Sequence, residues 1–400
     1  MYPHAMLSLH HLRVLAAVSR SGSVRAAAET LLRAPSAVSR SVALLEQALA
    51  LPLFERRGRG MLPTAAAEVV LARLAWITQE LQTVVDEAGS ARQRGAPTAV
   101  LDTLFDERRL LAVSLLAEVR HMPTVALHLG ITQPAVSAAL ARLEDALQQR
   151  LFLRTARGLL PSDAGARWIL RFDRVLAALR HMEDDVAATR GSLEGLVTVG
   201  TLPLARTQLL PQAIAAVLAG NPRLRVHSLE SPYEQLCAGL LAGKVDFIVG
   251  ALRPLADRAL TSEVLFVDQL GVVAAADHPL ARRRRLGLAD LRGHPWVLSR
   301  PGTPLRESLA RFFAAQGEPA PRATVETGDQ ALVRGLLLQA RMLTVLSSRQ
   351  LRHEIEGGDL CVLPLPLTGL ARHIGITTRA GTRLPATAQA LLAAIRRFSA

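Results

Sequence analysis

Lysine is almost missing from this chain of 400 residues: Lys244 stands alone, and every other base is arginine. That bias, with the abundant alanine, is what a GC-rich coding sequence produces. The net charge of +13 and the pI near 11.3 therefore support a nucleic-acid partner only weakly. The excess is also spread out, because residues 1–190 hold 23 basic and 18 acidic side chains and the rest of the chain carries the other +8. Cysteine is scarce too. Cys237 and Cys361 fit no metal-ligand spacing and no disulfide framework, which points to two buried thiols, with a redox pair as the alternative, and to no metal site. No apolar run reaches membrane-spanning length without a charge, and Met1 to His10 lacks the basic-then-apolar pattern of a secretory signal. The expectation is a cytoplasmic protein with no membrane partner. Also missing are a Gly-x-Ser-x-Gly elbow, His-Glu-x-x-His, Gly-x-Gly-x-x-Gly after a strand, and a P-loop, so no enzyme and no cofactor is indicated.

What is present is a repeat. Ala37-Val38-Ser39 returns as Ala135-Val136-Ser137, and at the same offset of 98 residues Leu45-Glu46 becomes Leu143-Glu144. Leu53-Phe54 becomes Leu151-Phe152, Arg56 becomes Arg154, Arg59-Gly60 becomes Arg157-Gly158, and Leu62-Pro63 becomes Leu160-Pro161, with no gap. A unit carried twice sets the domain plan before any other feature.

In the first copy, Leu12, Leu15, Ala16 and Val18 form one apolar helical face. Ser23 follows as an N-cap, and Val24, Ala27, Ala28 and Leu31 stripe a short second helix. Pro35 tolerates only a first helical turn, so a third helix starts there, striped by Val38, Val42, Leu45 and Leu49. Helix, tight turn, helix is the layout that places its second helix in a major groove. Leu53 to Gly60, rich in arginine and glycine and leading to Pro63-Thr64, suits a β-wing whose arginines meet phosphates or the minor groove; a solvated hairpin is the plainer reading. Val70, Leu74, Ile77, Leu81, Val84 and Ala88 then form a heptad seam, and its counterpart is Trp168, Phe172, Val175, Leu179, Met182 and Val186. Each copy thus owns a helix-pairing surface.

These residues resemble the LysR-type transcriptional regulators. The family's helix-turn-helix has a small-residue second helix, a Gln-Pro-Ala-Val-Ser recognition helix, a Leu-Glu pair, a Leu-Phe-x-Arg wing and a long linker helix. The second copy shows Thr132-Gln133-Pro134-Ala135-Val136-Ser137, and the first shows Gly22-Ser23, Ala27-Ala28 and Leu53-Phe54-Glu55-Arg56. The resemblance covers about residues 9–400, but family members normally carry one DNA-binding domain. It implies DNA contact by Ser23, Pro35, Ser36, Ser39, Arg40, Arg56, Arg57, Arg59 and Thr64 in the first copy. In the second copy it implies contact by Thr132, Gln133, Pro134, Ser137, Arg154, Arg157 and Ser162. The copies are unequal. Pro35-Ser36 replaces Gln-Pro and Ala34 is a poor cap, yet residues 9–64 carry eight Arg against three Glu. The second copy keeps Gln133, able to bond adenine in bidentate fashion, but Ala138 stands where the first has Arg40, and residues 104–165 hold seven Arg against six acids. Two readings stay open: copy one grips phosphates while copy two reads bases, or one copy is degenerating and only packs.

From Gly195 strands and helices alternate. Leu196 to Gly200, Leu224 to Leu229 and Val245 to Gly250 read as strands, with helices opening at Leu209 and Tyr233, so an α/β domain with a largely parallel sheet is expected. Leu270 to Ala274, Asp277-His278-Pro279-Leu280 and Trp296-Val297-Leu298 begin a second series, and Ala388, Leu391, Leu392 and Ile395 stripe a closing helix. This resembles the family's effector-binding half, two-lobed like the periplasmic solute-binding proteins. Gly200 to Ala205 looks like the branch of galactose-binding-protein regulators. Small molecules bind beyond the C-terminal strand ends of such sheets, and helix N-termini there favour anions. Thr201, Leu202, Ser299, Arg300 and Thr303 are therefore the effector-site candidates, for an anionic or sugar-like molecule; plain N-capping by Thr303 is the alternative.

The expected plan is multidomain: two all-α, winged helix-turn-helix domains (9–65 and 104–162) with linker helices (66–92 and 163–192), then a two-lobed α/β domain. That domain spans 195–400, with 195–268 plus 377–400 as one lobe and 269–376 as the other. The function expected is a transcription regulator that binds double-stranded promoter DNA under control of a small effector, as a homo-oligomer, with RNA polymerase a further partner. The alternative is an enzyme or ligand-binding protein whose helical repeats serve only oligomerisation. Because Gly89 to Thr103 could span up to ~50 Å, the two seams are able to pair within one chain.

Overall fold

The computed structural model describes residues 7–57, 60–89, 97–156, 158–255 and 257–399. Helices α1 (Leu9–Ser21), α2 (Val24–Thr30) and α3 (Pro35–Leu49) lead into a hairpin of β1 (Phe54–Arg57) and β2 (Gly60–Pro63), then the long α4 (Ala65–Gly89). After α5 (Pro97–Leu104) the series returns as α6 (Glu107–Val119), α7 (Met122–Leu129), α8 (Gln133–Leu147), β3 (Phe152–Thr155), β4 (Gly158–Pro161) and α9 (Asp163–Ala188). Each element of the second series starts 98 residues after its counterpart. Part of the segment joining the two copies is helical, and Val100, Leu104 and Phe105 bury against the surrounding helices.

Turn chemistry separates the copies. Helix α1 closes on Gly22 at φ 71°, whereas the equivalent residue after α6 is Arg120 at φ 60°. Conversely, Gly130 closes α7 at φ 63° where the first copy has Leu32 at φ 51°. A side chain in this left-handed region costs about 1–2 kcal/mol. Each copy therefore holds one strained turn that the other relieves with glycine.

Helices α4 and α9 pack antiparallel within the one chain, and all twelve seam residues named above are buried. Arg73 Nε donates to Asp185 Oδ2 at 2.9 Å, and Arg171 Nη2 donates to Glu87 Oε1 at 2.9 Å. Arg73 and Arg171 are equivalent positions, as are Glu87 and Asp185, so an approximate twofold relates the two pairs. Leu9 N donates to Glu107 Oε2 at 3.0 Å. These two residues are also each other's equivalents, which puts their contact near the axis. One apolar cluster runs from Leu7 to Val186 through both copies.

The remaining elements are β5 (Gly195–Thr201), α10 (Leu209–Gly220), β6 (Leu224–Leu229), α11 (Tyr233–Leu241), β7 (Phe247–Ala251), β8 (Leu260–Ala275), β9 (Val297–Leu298), α12 (Pro304–Ala315), β10 (Val325–Glu326), α13 (Gln330–Ala340), β11 (Thr344–Ser347), α14 (Arg352–Glu356), β12 (Leu360–Val362), β13 (Ala371–Arg379) and α15 (Ala386–Ser399). The main sheet has the order β11-β8-β13-β7-β5-β6, with β12 also on β8. It is mixed rather than largely parallel. Strand β5 is parallel to β6 and β7, but β13 is antiparallel to β7 and β8. The reason is the 16-residue β8, which leaves one lobe and enters the other while β13 returns beside it. The lobe boundary thus falls inside two paired strands, and the return begins at Ala371 instead of 377. Separate apolar clusters fill the lobes: the first lobe has one around Val199, Phe247 and the α15 stripe and another around Leu236 and Ile248, and the second has one around Val272, Trp296 and Phe313 and another around Val297 and Leu337. The cysteines are half-buried rather than buried, Cys237 on α11 and Cys361 on β12, and burial pushes both thiols up.

The first lobe grips α9. Arg174 Nε donates to Leu241 O at 2.6 Å, His181 Nε2 lies 3.0 Å from Asp246 Oδ1, and Asp184 Oδ2 accepts from Thr387 Oγ1 at 3.2 Å. Asp185 Oδ1 accepts from Ala386 N at 3.1 Å, at the start of α15, where a carboxylate is favoured. Lys244 pairs with Glu118 of α6 and lies 3.3 Å from Asp173 of α9. Gly195, at φ 127°, allows the approach, since a β-carbon there would lie 2.1 Å from Asp184 Oδ1.

Burial pushes Asp184 up to about 6, against the opposing pull of His181 and the Thr387 hydrogen bond. Its folded value exceeds its unfolded one, so the protonated form favours folding. The contribution is full below 3.8 and is lost as pH rises through about 6. Chemical denaturation from pH 5 to 8 is expected to show the wild type falling relative to Asp184→Asn, by about 1–1.5 kcal/mol, the rest of the loss lying below pH 5. Parallel profiles for the two proteins would remove Asp184 from the account.

Candidate nucleic-acid and effector sites

The outer faces of α3 and α8 stay open although the core behind them is continuous. Pro35, Ser36, Ser39 and Arg40 are exposed on α3, while Val38, Val42, Leu45 and Leu49 face inward. On α8, Gln133, Pro134 and Ser137 are exposed, as is Thr132 just before it. The caps differ as the residues imply. Ala34 offers α3 no side-chain bond, whereas Thr132 Oγ1 accepts from Ala135 N at 3.4 Å. Ser23 caps α2 by accepting from Ala26 N at 3.1 Å.

The Leu-Glu pair has a structural job that spacing alone does not reveal. Glu46 Oε1 accepts from Leu53 N at 2.7 Å, and Glu144 Oε1 accepts from Leu151 N at 2.7 Å and Phe152 N at 3.3 Å. Each glutamate thereby ties the third helix of its copy to the hairpin. A second tie fixes the hairpin tip side: Met61 N donates to Gly22 O at 2.9 Å, and Leu159 N donates to Arg120 O at 3.4 Å. Thr64 and Ser162 cap the long helices. Their hydroxyls accept from Ala67 N at 3.2 Å and Gly165 N at 3.0 Å, and donate to Pro52 O at 2.9 Å and Arg150 O at 2.6 Å. These two hydroxyls are already engaged, which counts against them as groups free to meet a phosphate. Arg154 is exposed on β3 and Arg56 and Arg57 belong to β1. Arg59 and Arg157 lie outside the described residues.

The effector-site candidates form two groups. Thr201 is buried at the end of β5, with Oγ1 3.3 Å from Ser228 Oγ and 3.3 Å from Glu230 Oε1; Leu202 beside it is also buried. Ser228 Oγ donates to Glu230 Oε1 at 2.6 Å, and that bond first, with the one from Thr201, holds the Glu230 carboxyl below its ordinary value. In the other lobe Thr303 stands at the N-cap position of α12 but makes no cap bond. Its hydroxyl instead donates to Arg300 O at 2.8 Å and lies 2.9 Å from Ser299 Oγ, because the turn 299–303 folds back on itself. Arg300 is exposed. Among the described residues no hydrogen bond joins the two groups. At the hinge between the lobes, buried Asp268 accepts from Ser347 Oγ at 2.5 Å and Arg372 Nε at 2.9 Å, a cluster that periodicity does not disclose. Nearby, a cavity of about 500 Å³ opens between the lobes, with Gln208, Gln212, Arg349 and Arg352 in its wall and the Arg349 guanidinium 4.4 Å from the centre of the Phe266 ring.

Comparison with known proteins matches residues 190–400 to the LysR substrate binding domain. The bacterial regulatory helix-turn-helix model of the lysR family matches twice, at 9–68 and 108–166. The HTH-type transcriptional regulator GalR of Pseudomonas putida is 43% identical over 391 residues, covering 97% of this chain and 96% of that protein. Among solved structures, a full-length OxyR variant from Pseudomonas aeruginosa superposes with a TM-score of 0.57 at 22% identity, over 72% of this chain and 94% of that one. Full-length CbnR complexed with its target DNA gives 0.51 at 20% identity, over 74% and 99%. The last two establish likeness of fold.

Two substitutions check the local architecture. Glu144→Ala strands two buried backbone donors and is expected to cost about 1–3 kcal/mol, read as a lower denaturation midpoint. Arg120→Gly is expected to stabilise by about 1 kcal/mol by relieving the left-handed turn; an unchanged or lowered midpoint would contradict the strain assigned to it.

Proposed function

Because the chain belongs to the LysR family of DNA-binding transcriptional regulators and carries that family's effector-binding domain, we propose that its two winged helix-turn-helix copies make one DNA-binding head per chain. The observation that carries this reading is the seam. Helices α4 and α9 close on each other in cis while the outer faces of α3 and α8 remain open. A tethered seam forms at high effective concentration, so two chains offer four helix-turn-helix units to a promoter duplex.

Within that head the copies divide the work. Ser36, Ser39, Arg40 and the arginines of the first hairpin, Arg56, Arg57 and Arg59, hold phosphates, with Pro35 and Ser23 setting the helix positions. Gln133 reads a base edge, with Thr132, Pro134 and Ser137 beside it and Arg154 and Arg157 on the second wing. Thr64 and Ser162 serve as caps that place the wings. The effector lies between lobes built like those of periplasmic solute-binding proteins, beyond the strand ends at Thr201 and Leu202 and facing Ser299, Arg300 and Thr303. An anionic or sugar-like molecule suits one guanidinium and several hydroxyls. Preference of the effector for one lobe arrangement shifts the population of head positions, and RNA polymerase reads the outcome at the promoter.

Operator binding measured against salt concentration tests the division. Arg40→Ala is expected to flatten the slope of log K on log salt by about one. Gln133→Ala is expected to keep the slope and relax sequence preference, by about 1–3 kcal/mol at one base pair. Loss of nothing in either variant would mean that copy only packs. The cis seam is checked by mass: cross-linking of cysteines placed at 77 and 179 is expected to leave the denatured chain monomeric, whereas covalent dimers would show pairing between chains.

A further inference from the structure

Where α4, α9 and the first lobe meet, the chain lines a small cleft of about 30 Å³, partly open to solvent, room for a few solvent-sized atoms. Its wall is rich in one charge. Arg73, Arg174, Arg379 and Arg383 line it, against the single carboxylate of Asp246. Asp246 is already engaged, 3.0 Å from His181 Nε2 and 2.7 Å from Thr198 N. Arg73 is bonded to Asp185. The carboxylate nearest Arg174, Glu80 at 3.7 Å, is held more closely by Arg171 at 3.1 Å. Arg379 stacks over Trp76, 5.4 Å from the ring centre, and donates to Thr382 Oγ1 at 2.8 Å. Among the described residues no carboxylate makes an ion pair with Arg379 or Arg383. Burial, and then the neighbouring charge of Arg174, pushes the Arg379 guanidinium down to about 10. Glu80, the one carboxylate whose charge offsets this, is shared with Arg171 and Arg174, and an excess of half-buried cations is costly unless something completes it.

We propose that this junction is a binding site for one small inorganic oxyanion, held by the guanidinium groups of Arg379 and Arg174 and bounded on one side by Trp76. The planar donors of arginine suit oxyanions. The site is separate from the inter-lobe candidates, none of which lines it. Its walls come from both long helices and from the sensor lobe. Occupancy therefore ties the lobe to the head, and loss of the anion loosens that joint without any change in the inter-lobe cleft.

Thermal unfolding of the full-length protein tests this, with inorganic phosphate as the probe and ionic strength held constant by sodium gluconate, whose anion is too large for the cavity. Wild type is expected to show a saturable rise in Tm of several degrees with phosphate. Arg379→Gln is expected to lose the saturable part and, freed of an unpaired cation, to unfold no lower than wild type in gluconate. No saturable rise in wild type, or an equal rise in Arg379→Gln, would overturn the assignment. An independent reading comes from intrinsic fluorescence. A phosphate-dependent change that vanishes in Trp76→Phe supports the site, and one that persists there puts the binding elsewhere.

Discussion

Antiparallel pairing of α4 with α9 inside a single chain is the constraint on which the rest of the molecule depends. Two heptad seams of six apolar residues each must be covered, and here each covers the other. The near-symmetric ion pairs Arg73–Asp185 and Arg171–Glu87 set the register. Such pairs contribute little net stability when exchanged for apolar residues, but a shift by one turn would strand charge in a buried seam, so they select one alignment. From that alignment follow the position of the axis near Leu9 and Glu107, and the outward presentation of both α3 and α8.

The sensor half does not treat the two copies alike. Its first lobe holds α9 through Arg174, His181, Asp184 and Asp185, and Lys244 adds contacts to α6 and α9 of the second copy. The first copy is reached through the Arg73 end of α4, whose guanidinium also bonds Arg383 O at 3.4 Å. The lobe is thus docked mainly on the second copy. The lobes themselves are joined by β8 and β13, a paired crossing pinned at Asp268 by Ser347 and Arg372.

Much of this was readable in one dimension because its causes are local. The offset of 98 residues locates every paired element of the two N-terminal copies, since equal sequence dictates equal helix starts, caps and turns. The seam positions are recoverable from heptad spacing alone. Thr303 was less transparent: a threonine before proline has the form of a cap, but the backbone at 299–303 offers its hydroxyl a closer carbonyl. Helix α5 is not legible in the sequence because eight residues carry too short a stripe to set it apart from irregular chain. The parallel sheet was overextended for a related reason. Strand alternation gives order but not direction, and β8 runs past the point where a second series seems to begin.

By itself, then, the sequence determined the duplication, the family and the inventory of faces, all of which depend on residues near one another in the chain or on patterns of fixed period. Tertiary structure alone decided which seam meets which, how the sensor lobe docks on α9, and that four arginines from positions 73, 174, 379 and 383 converge on one cavity. Those are meetings of residues far apart in sequence. Their energies come from desolvation and from opposing charge in three dimensions, and no spacing rule along the chain encodes either.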